Sequence, residues 1–524
     1  MIRSPATALP VILLASACAT TPGQPPSPLT VASTPTGAQA ADGQSISWRE
    51  HLIDDEGVNG GVPIRGGDGL AVADIDRDGF LDVISVHEDS NHLRIAFGSA
   101  DPDVWELVTI GAGAEVGAIE DVAIGDLNGD GWADLVGACE EAHLIYFQNP
   151  GSAARTEDWA SLIPDITTGR GSWLRAFIAD IDQDGRMDVL APNKGSADII
   201  DPSARTSDGL ATSLFTITGD PLKNESWTEQ VLSRENVPNT AMPVDIDGDG
   251  DLDVLAAARI DLTMTLLENL GTDETGEVRI QPHPIVIEAG MDVPEGWQGR
   301  SNAFQSTFAD LNGDGRKDLV VSVSETVPGE PAGSVFGGLG WLKQPATLSE
   351  PWTYFRIGDT LPDVTVGIAL TDIDGDGDLD AVTGGYSGLN IMTGSYSGAS
   401  RDYDEPGVTA SATVGRIAWF ENPGDARKTW QRHDVSRRVR GMYDGFVPLD
   451  MDGDGDTDLV STRGNSGEYD GVFWLEQVRS QTARPAFTPA RSQESRALPL
   501  PPSNWEALYE AGTTYIAPNK AGKD

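Results

Sequence analysis

One nine-residue pattern, Asp-x-Asp/Asn-x-Asp-Gly-x-x-Asp, recurs seven times along this chain. The acidic or amide residues that carry it are Asp74, Asp76, Asp78 and Asp82; Asp126, Asn128, Asp130 and Asp134; Asp180, Asp182, Asp184 and Asp188; Asp245, Asp247, Asp249 and Asp253; Asp310, Asn312, Asp314 and Asp318; Asp372, Asp374, Asp376 and Asp380; and Asp450, Asp452, Asp454 and Asp458. Position six is glycine in every copy, from Gly79 to Gly455. Every side chain on offer is an oxygen donor. Calcium, a hard cation, takes six to eight oxygens at about 2.3–2.6 Å, and side chains at positions one, three and five of a tight loop converge on one point. A backbone carbonyl at position seven adds a ligand, glycine at six permits the sharp turn, and the Asp at nine closes the shell. Zinc fits poorly, because no His or Cys enters any copy. One such loop alone is as readily a solvated acidic turn. Seven copies with an invariant glycine point to calcium, up to seven ions.

The elements that must position these loops are strands. After each loop come aliphatic and then small residues, as in Val83-Ile84-Ser85 and Leu459-Val460-Ser461; short apolar runs of this kind suit strands buried on both faces. The segment before each loop, such as Gly367–Thr371, reads as a strand too, so the loop joins a hairpin. A third strand ends in turn formers, as in Phe147-Gln148-Asn149-Pro150-Gly151. A fourth opens with Trp in most copies, at Trp105, Trp159, Trp227, Trp352 and Trp430. Four short antiparallel strands per repeat describe a propeller blade, so the expected fold is all-β, a seven-bladed β-propeller with four-stranded antiparallel blades. The seventh repeat lacks its Trp-led strand, and one stands unclaimed at Trp48–Ile53. The N-terminal strand is therefore expected to complete the last blade and close the ring.

This pattern resembles the FG-GAP/VCBS repeat family, whose calcium-loop propellers include the integrin α-subunit head and many exported bacterial proteins. The Asp loops and the Phe-Glu-Asn-Pro-Gly type of turn at 420–424 carry the resemblance over roughly residues 46–479. It implies fold and metal; the same scaffold serves adhesins, lectins and carbohydrate-active enzymes, so activity must be argued from the site.

The balance of 35 Lys and Arg against 82 Asp and Glu gives a net charge of −47. No basic stripe is available for a phosphate backbone, which excludes nucleic acid as a partner. Residues 1–17 have the make-up of an export signal, too short to span a bilayer. Cys18 follows Ala15-Ser16-Ala17 and resembles a bacterial lipobox, which implies lipidation at Cys18; ordinary cleavage nearby is the alternative. The expected location is the cell envelope, with a lipid anchor in the outer membrane as the only membrane attachment. Residues 18–45 read as a flexible tether, 46–479 as the propeller and 480–524 as a Pro-rich, mostly irregular tail.

Function is expected on the face opposite the Asp loops, where long connections rest on a rigid scaffold. Five to seven residues past each closing Asp stand His87, Glu140, Lys194, Arg259, Glu325, Tyr386 and Arg463, with Arg300 and Tyr443 on connecting loops nearby. Arg and Lys pair with carboxylates or sulfates and aromatics stack on sugars; ordinary rim residues paired with neighbouring acids are the plain alternative. Two functions follow. The first is a calcium-stabilised envelope module that binds a polysaccharide or a cell-surface protein. The second is a lyase or dehydratase on acidic or oxidised sugars, with Arg or Lys neutralising the substrate oxygen and His87 or Tyr386 taking a proton.

Overall fold

The computed structural model describes residues 28–141, 143–195, 208–291, 293–326, 335–387, 389–390, 395–396, 408–492 and 494–505. Residues 1–17, expected as an export signal, and Cys18, expected to be lipidated, lie outside them. In each Asp loop the glycine at position six takes φ between 83° and 98°, a left-handed conformation that side chains disfavour. Position four is left-handed as well, with φ between 59° and 80°: glycine in five copies, but Arg77 and Gln183 in the other two. Two such residues so close together reverse the chain, and the strands on either side pair.

Among the described residues seven blade sheets result, antiparallel apart from two added edge strands, with a separate two-stranded pair at Leu389–Asn390 and Ser395–Tyr396. Blade 1 runs Gly67–Ala73, Asp82–His87, His92–Phe97, Glu106–Ala112, and blade 2 runs Ile119–Gly125, Asp134–Cys139, His143–Gln148, Ala160–Leu162. Blade 3 sets Ser172–Trp173 and Phe177–Ala179 on Asp188–Gly195, followed by Leu210–Ile217 and Trp227–Glu235. Blade 4 is Pro238–Val244, Asp253–Ala258, Thr263–Thr272, Val278–Pro284. Blade 5 sets Gln298–Arg300 and Ser306–Ala309 on Asp318–Thr326, then Val335–Lys343 and Trp352–Asp359, with Ile287–Ala289 added in parallel at its outer edge. Blade 6 is Gly367–Thr371, Asp380–Gly384, Gly415–Glu421, Gln431–Arg438. Blade 7 is Phe446–Leu449, Asp458–Arg463, Gly471–Ser480 and, as its fourth strand, Ser45–Asp55.

The N-terminal strand thus closes the last blade, with Trp48 opposite Gln477 and His51 opposite Trp474. The core is divided into seven layers, one between each pair of neighbouring blades. Blades 1 and 2 share Ile84, Leu93, Leu135 and Phe147, and blades 6 and 7 share Trp419, Trp48 and Phe473. The layer of Val83, Ala96, Val460 and Trp474 joins blade 7 back to blade 1. No blade buries its faces alone; each relies on its two neighbours to cover them.

Side chains stitch the loop ends of successive blades. Asn149 Nδ2 donates to the Ile75 carbonyl of the preceding blade (3.1 Å), Asn269 to Ile181 (2.9 Å), Gln344 to Ile246 (2.9 Å) and Gln477 to Ile373 (3.0 Å). Each of these carbonyls belongs to position two of an Asp loop, so the seven loops share one rim.

Two segments differ from the sequence reading. Residues 28–45, expected to tether loosely, lie on the propeller: Val31 and Ala38 are buried, and the Ala41 amide donates to the Asp374 carbonyl (2.9 Å). The start of the expected tail adds Phe487–Thr488 in parallel to the closing strand, and Glu494 is buried. Their apolar residues are too few for a periodic pattern, so only the surface they meet reveals them.

Candidate functional site

The Asp rim is built from backbone hydrogen bonds. The closing Asp of every loop accepts the amide of position two, at 2.7–3.1 Å from Asp82 to Asp458. In six blades its other oxygen accepts an amide from the later part of the third strand or the residue just past it, as Asp134 does from Asn149 (2.9 Å). The first Asp of most loops accepts the glycine amide of position six, as Asp126 does from Gly131 (2.8 Å). In blades 1, 3, 4 and 6, carboxylate oxygens of Asp74, Asp76 and Asp78, of Asp180, Asp182 and Asp188, of Asp245, Asp247 and Asp249, and of Asp372, Asp374 and Asp380 lie within 4.8 Å of one another. Burial pushes the closing carboxyls up, to about 6 at Asp82, Asp134, Asp253 and Asp318, about 7 at Asp188 and Asp458 and about 8 at Asp380. These all-oxygen donor sets fit a hard divalent cation, which would favour their charged form. In three loops a ligand-position Asp already has a cationic partner from the chain: Arg155 pairs with Asp76 and with Asp78 (2.5 Å), Arg186 with Asp184, and Arg316 (2.5 Å) and Lys343 (3.2 Å) with Asp314. In blade 7 Arg479 pairs with Asp456 at position seven (3.5 Å).

At the other end of the innermost strands, on the propeller axis, a cavity of about 160 Å³ is lined by Asp68, Glu120, Asp121, Arg175, Phe304, Gln305 and Asp444 among others. Beside it Lys194 is buried in an ion pair with Glu140, and burial lowers its ammonium to about 8. Carboxylate oxygens of Glu88, Glu120 and Glu140 lie within 4.8 Å of one another. Arg175 and Arg259 each hold their guanidinium 4.9 Å from the centre of the Phe304 ring, and Arg259 donates to Asn239 Oδ1 (2.8 Å). Tyr386 stands near Arg259.

The fold therefore brings Glu140, Lys194, Arg259 and Tyr386 to one place, as expected from their offsets. It does not make that place cationic: Asp68, Glu88, Glu120, Asp121, Glu140 and Asp444 outnumber Arg175, Lys194 and Arg259. Other expected residues belong elsewhere. Arg463 is 2% exposed and pairs with Glu50 (3.1 Å) and Glu494 (2.8 Å), a network that Arg438 completes. It bonds the closing strand and the C-terminal segment to blades 6 and 7, and faces no ligand. Tyr443 is 1% exposed and packs edge-on against Phe473. His87 is fully buried beside Ser85 Oγ (3.1 Å), and burial lowers its pKa to about 3; in this conformation it meets no substrate. Glu325 accepts the Tyr354 hydroxyl (2.7 Å) on the flank of blade 5, and Arg300 lies exposed on that blade's added inner strand.

The acids of the mouth carried a signal that the offsets past the closing Asp did not reach. Asp68, Glu120 and Asp444 each stand six residues before the first Asp of their loop, at 74, 126 and 450. Counting back to the start of the innermost strand finds the axis; counting forward along the second strand leads partly into the blades.

A second concavity, of about 440 Å³, lies on the flank between blades 5 and 6. Trp297, Tyr354, Phe420 and Trp430 line it with Arg356, Arg427, Lys428 and Arg432. Trp297 stacks on Tyr354 with ring centres 4.6 Å apart. The cations are partly exposed, Arg427 at 52% and Lys428 at 69% of their side chains, and both of these pair with Asp425. Arg356 pairs with Asp359 (2.9 Å) and Glu325 (3.6 Å), two acids that share the lining.

A family model described as an FG-GAP-like repeat matches residues 74–137, 126–191 and 245–321, so the chain carries three FG-GAP-like repeats, each spanning from one Asp loop toward the next blade. No curated protein matches the sequence. Among solved structures, the chain is similar to BBS1N from its crystal structure in complex with ARL6DN, at 8% identity over 83% of this chain and 98% of that one, with a TM-score of 0.41. It is similar to YCF48 from Cyanidioschyzon merolae at 10% identity, 82% and 98% coverage and a TM-score of 0.42. A chain of the S. cerevisiae core factor matches at 10% identity, 85% and 63% coverage and a TM-score of 0.41.

Proposed function

We propose that this chain is an exported, calcium-stabilised binding module of the cell envelope that recognises an acidic polysaccharide in the groove between blades 5 and 6. The observation that carries the reading is the placing of Arg356, Arg427, Lys428 and Arg432 around an aromatic-lined groove in a chain of net charge −47. Guanidinium forks pair with uronate or sulfate groups, and an apolar floor accepts the faces of sugar rings. The acidic axial mouth repels such a polymer, so the groove takes the role that the mouth was expected to fill. The burial of His87 leaves Tyr386 as the one proton acceptor named for a lyase or dehydratase at the mouth.

The test is affinity electrophoresis in polygalacturonate, with neutral pullulan as the comparison and calcium present throughout. The wild-type chain is expected to be retarded by polygalacturonate alone, less so as salt rises. The Arg427→Ala/Lys428→Ala/Arg432→Ala variant should bind at least about ten-fold more weakly, roughly 1.4 kcal/mol. Equal retardation by both polymers, or an unchanged variant, refutes the reading; the variant leaves the Asp rim intact and so separates groove binding from calcium bridging.

A further inference from the structure

We infer that the axial cavity is a site for a hydrated divalent cation, separate from the seven rim loops and held by Asp68, Glu120 and Asp444. Asp68 comes from blade 1, Glu120 from blade 2 and Asp444 from the entry to blade 7, and all three line the same space of about 160 Å³.

The argument rests on what these carboxylates lack. Asp68 and Asp444 are each 6% exposed. Among the described residues, Asp68 Oδ2 and Asp444 Oδ1 have no hydrogen-bond partner. A buried carboxylate oxygen left unmatched costs about 1–3 kcal/mol or more, so native structures pair such atoms with protein, water or an ion. The charges acting most strongly on Asp68 are all acidic, namely Glu120, Asp444, Glu88 and Asp89.

The nearby cations make their bonds elsewhere, though the charges of Arg175 and Arg259 also reach Asp444 and that of Lys194 reaches Glu120 and Asp68. Lys194 pairs with Glu140. Arg175 stands over Phe304 and its charge acts on Asp121, and Arg259 bonds Asn239 and also stands over Phe304. Asp121 is itself bonded to the Ala176 amide (3.2 Å). Three carboxylates remain around a space that holds several waters at about 30 Å³ each, as a divalent ion retaining part of its hydration shell requires. Convergence from three blades, two unmatched buried oxygens and a water-sized cavity together define a built site, where acidity alone would not.

Crystals of the full chain soaked in manganese chloride, with anomalous difference maps, test the inference directly. Density is expected inside the axial cavity. Native mass spectrometry in calcium should then count one ion fewer in Asp68→Asn/Asp444→Asn than in the wild type, whatever number the rim holds. Manganese density confined to the rim, or an unchanged ion count in the folded variant, overturns the site; the acids then share protons instead. If the double variant fails to fold, the wild-type map decides alone.

Discussion

His87 shows how burial redirects a residue whose type suggests chemistry. Its imidazole is held neutral, with a pKa of about 3 against 6.5 for the free group. The unfolded chain takes up a proton below pH 6.5 that the folded chain refuses. Stability from this group is therefore complete above pH 6.5 and is lost progressively as pH falls toward 3. His87→Asn should flatten part of that fall: the drop in melting temperature between pH 7 and pH 5 is expected to be smaller in the variant than in the wild type, measured in the same buffers. An identical drop in both would mean that His87 protonates freely in the fold. The sequence placed His87 correctly at the end of a second strand. Its side chain turns into the blade, beside Ser85, and one-dimensional counting cannot register that.

Among the elements, the hairpin loop was the most legible, because its chemistry is local. Glycine at position six, the closing Asp and the strands on either side all follow from neighbouring residues. What was not legible is the bond from one blade to the next. Asn149 reads as a turn former before Pro150, and its backbone does end the strand; its side chain also crosses to Ile75 of blade 1. A second bond to the Ala133 carbonyl (2.9 Å) makes the amide fully engaged and buried. Asn149→Ala leaves two buried carbonyls unmatched and is expected to cost about 2–3 kcal/mol. Denaturant unfolding of the two proteins measures it, and a cost below ~0.5 kcal/mol would show that water replaces the amide without loss. Asn269, Gln344 and Gln477 repeat the arrangement, so a position that varies between Asn and Gln hides a shared role.

For the whole molecule the governing quantity is charge. Seven acidic loops on one rim repel one another, and a ligand that binds only the folded ring stabilises it by mass action. At a hundred-fold excess over its dissociation constant each bound ion adds about 2.7 kcal/mol. Chelation should therefore lower the melting temperature by on the order of 10 °C or more, and added calcium, not sodium at equal ionic strength, should restore it. An unchanged melting curve in chelator would remove calcium from the description of the fold. The loops with an Arg or Lys partner at a ligand position, in blades 1, 3 and 5, are expected to fill last, because the incoming ion must first displace a cation already paired.

The closing strand also governs the order in which the protein can form. Ser47 hydrogen-bonds across 431 residues to Val478. Closing a flexible loop of that length costs roughly 5 kcal/mol of chain entropy, recovered only when the two ends zip together. Blades 1 to 6 can assemble as synthesis proceeds, since each pairs strands that are near in sequence. Blade 7 must wait for Gly471–Ser480, and before that Ser45–Asp55 lacks its partner strand. Until then two blade faces remain uncovered, one at each end of the arc. Forming the native ring therefore includes an encounter between two strands far apart in sequence, a non-local pairing of the kind that slows folding.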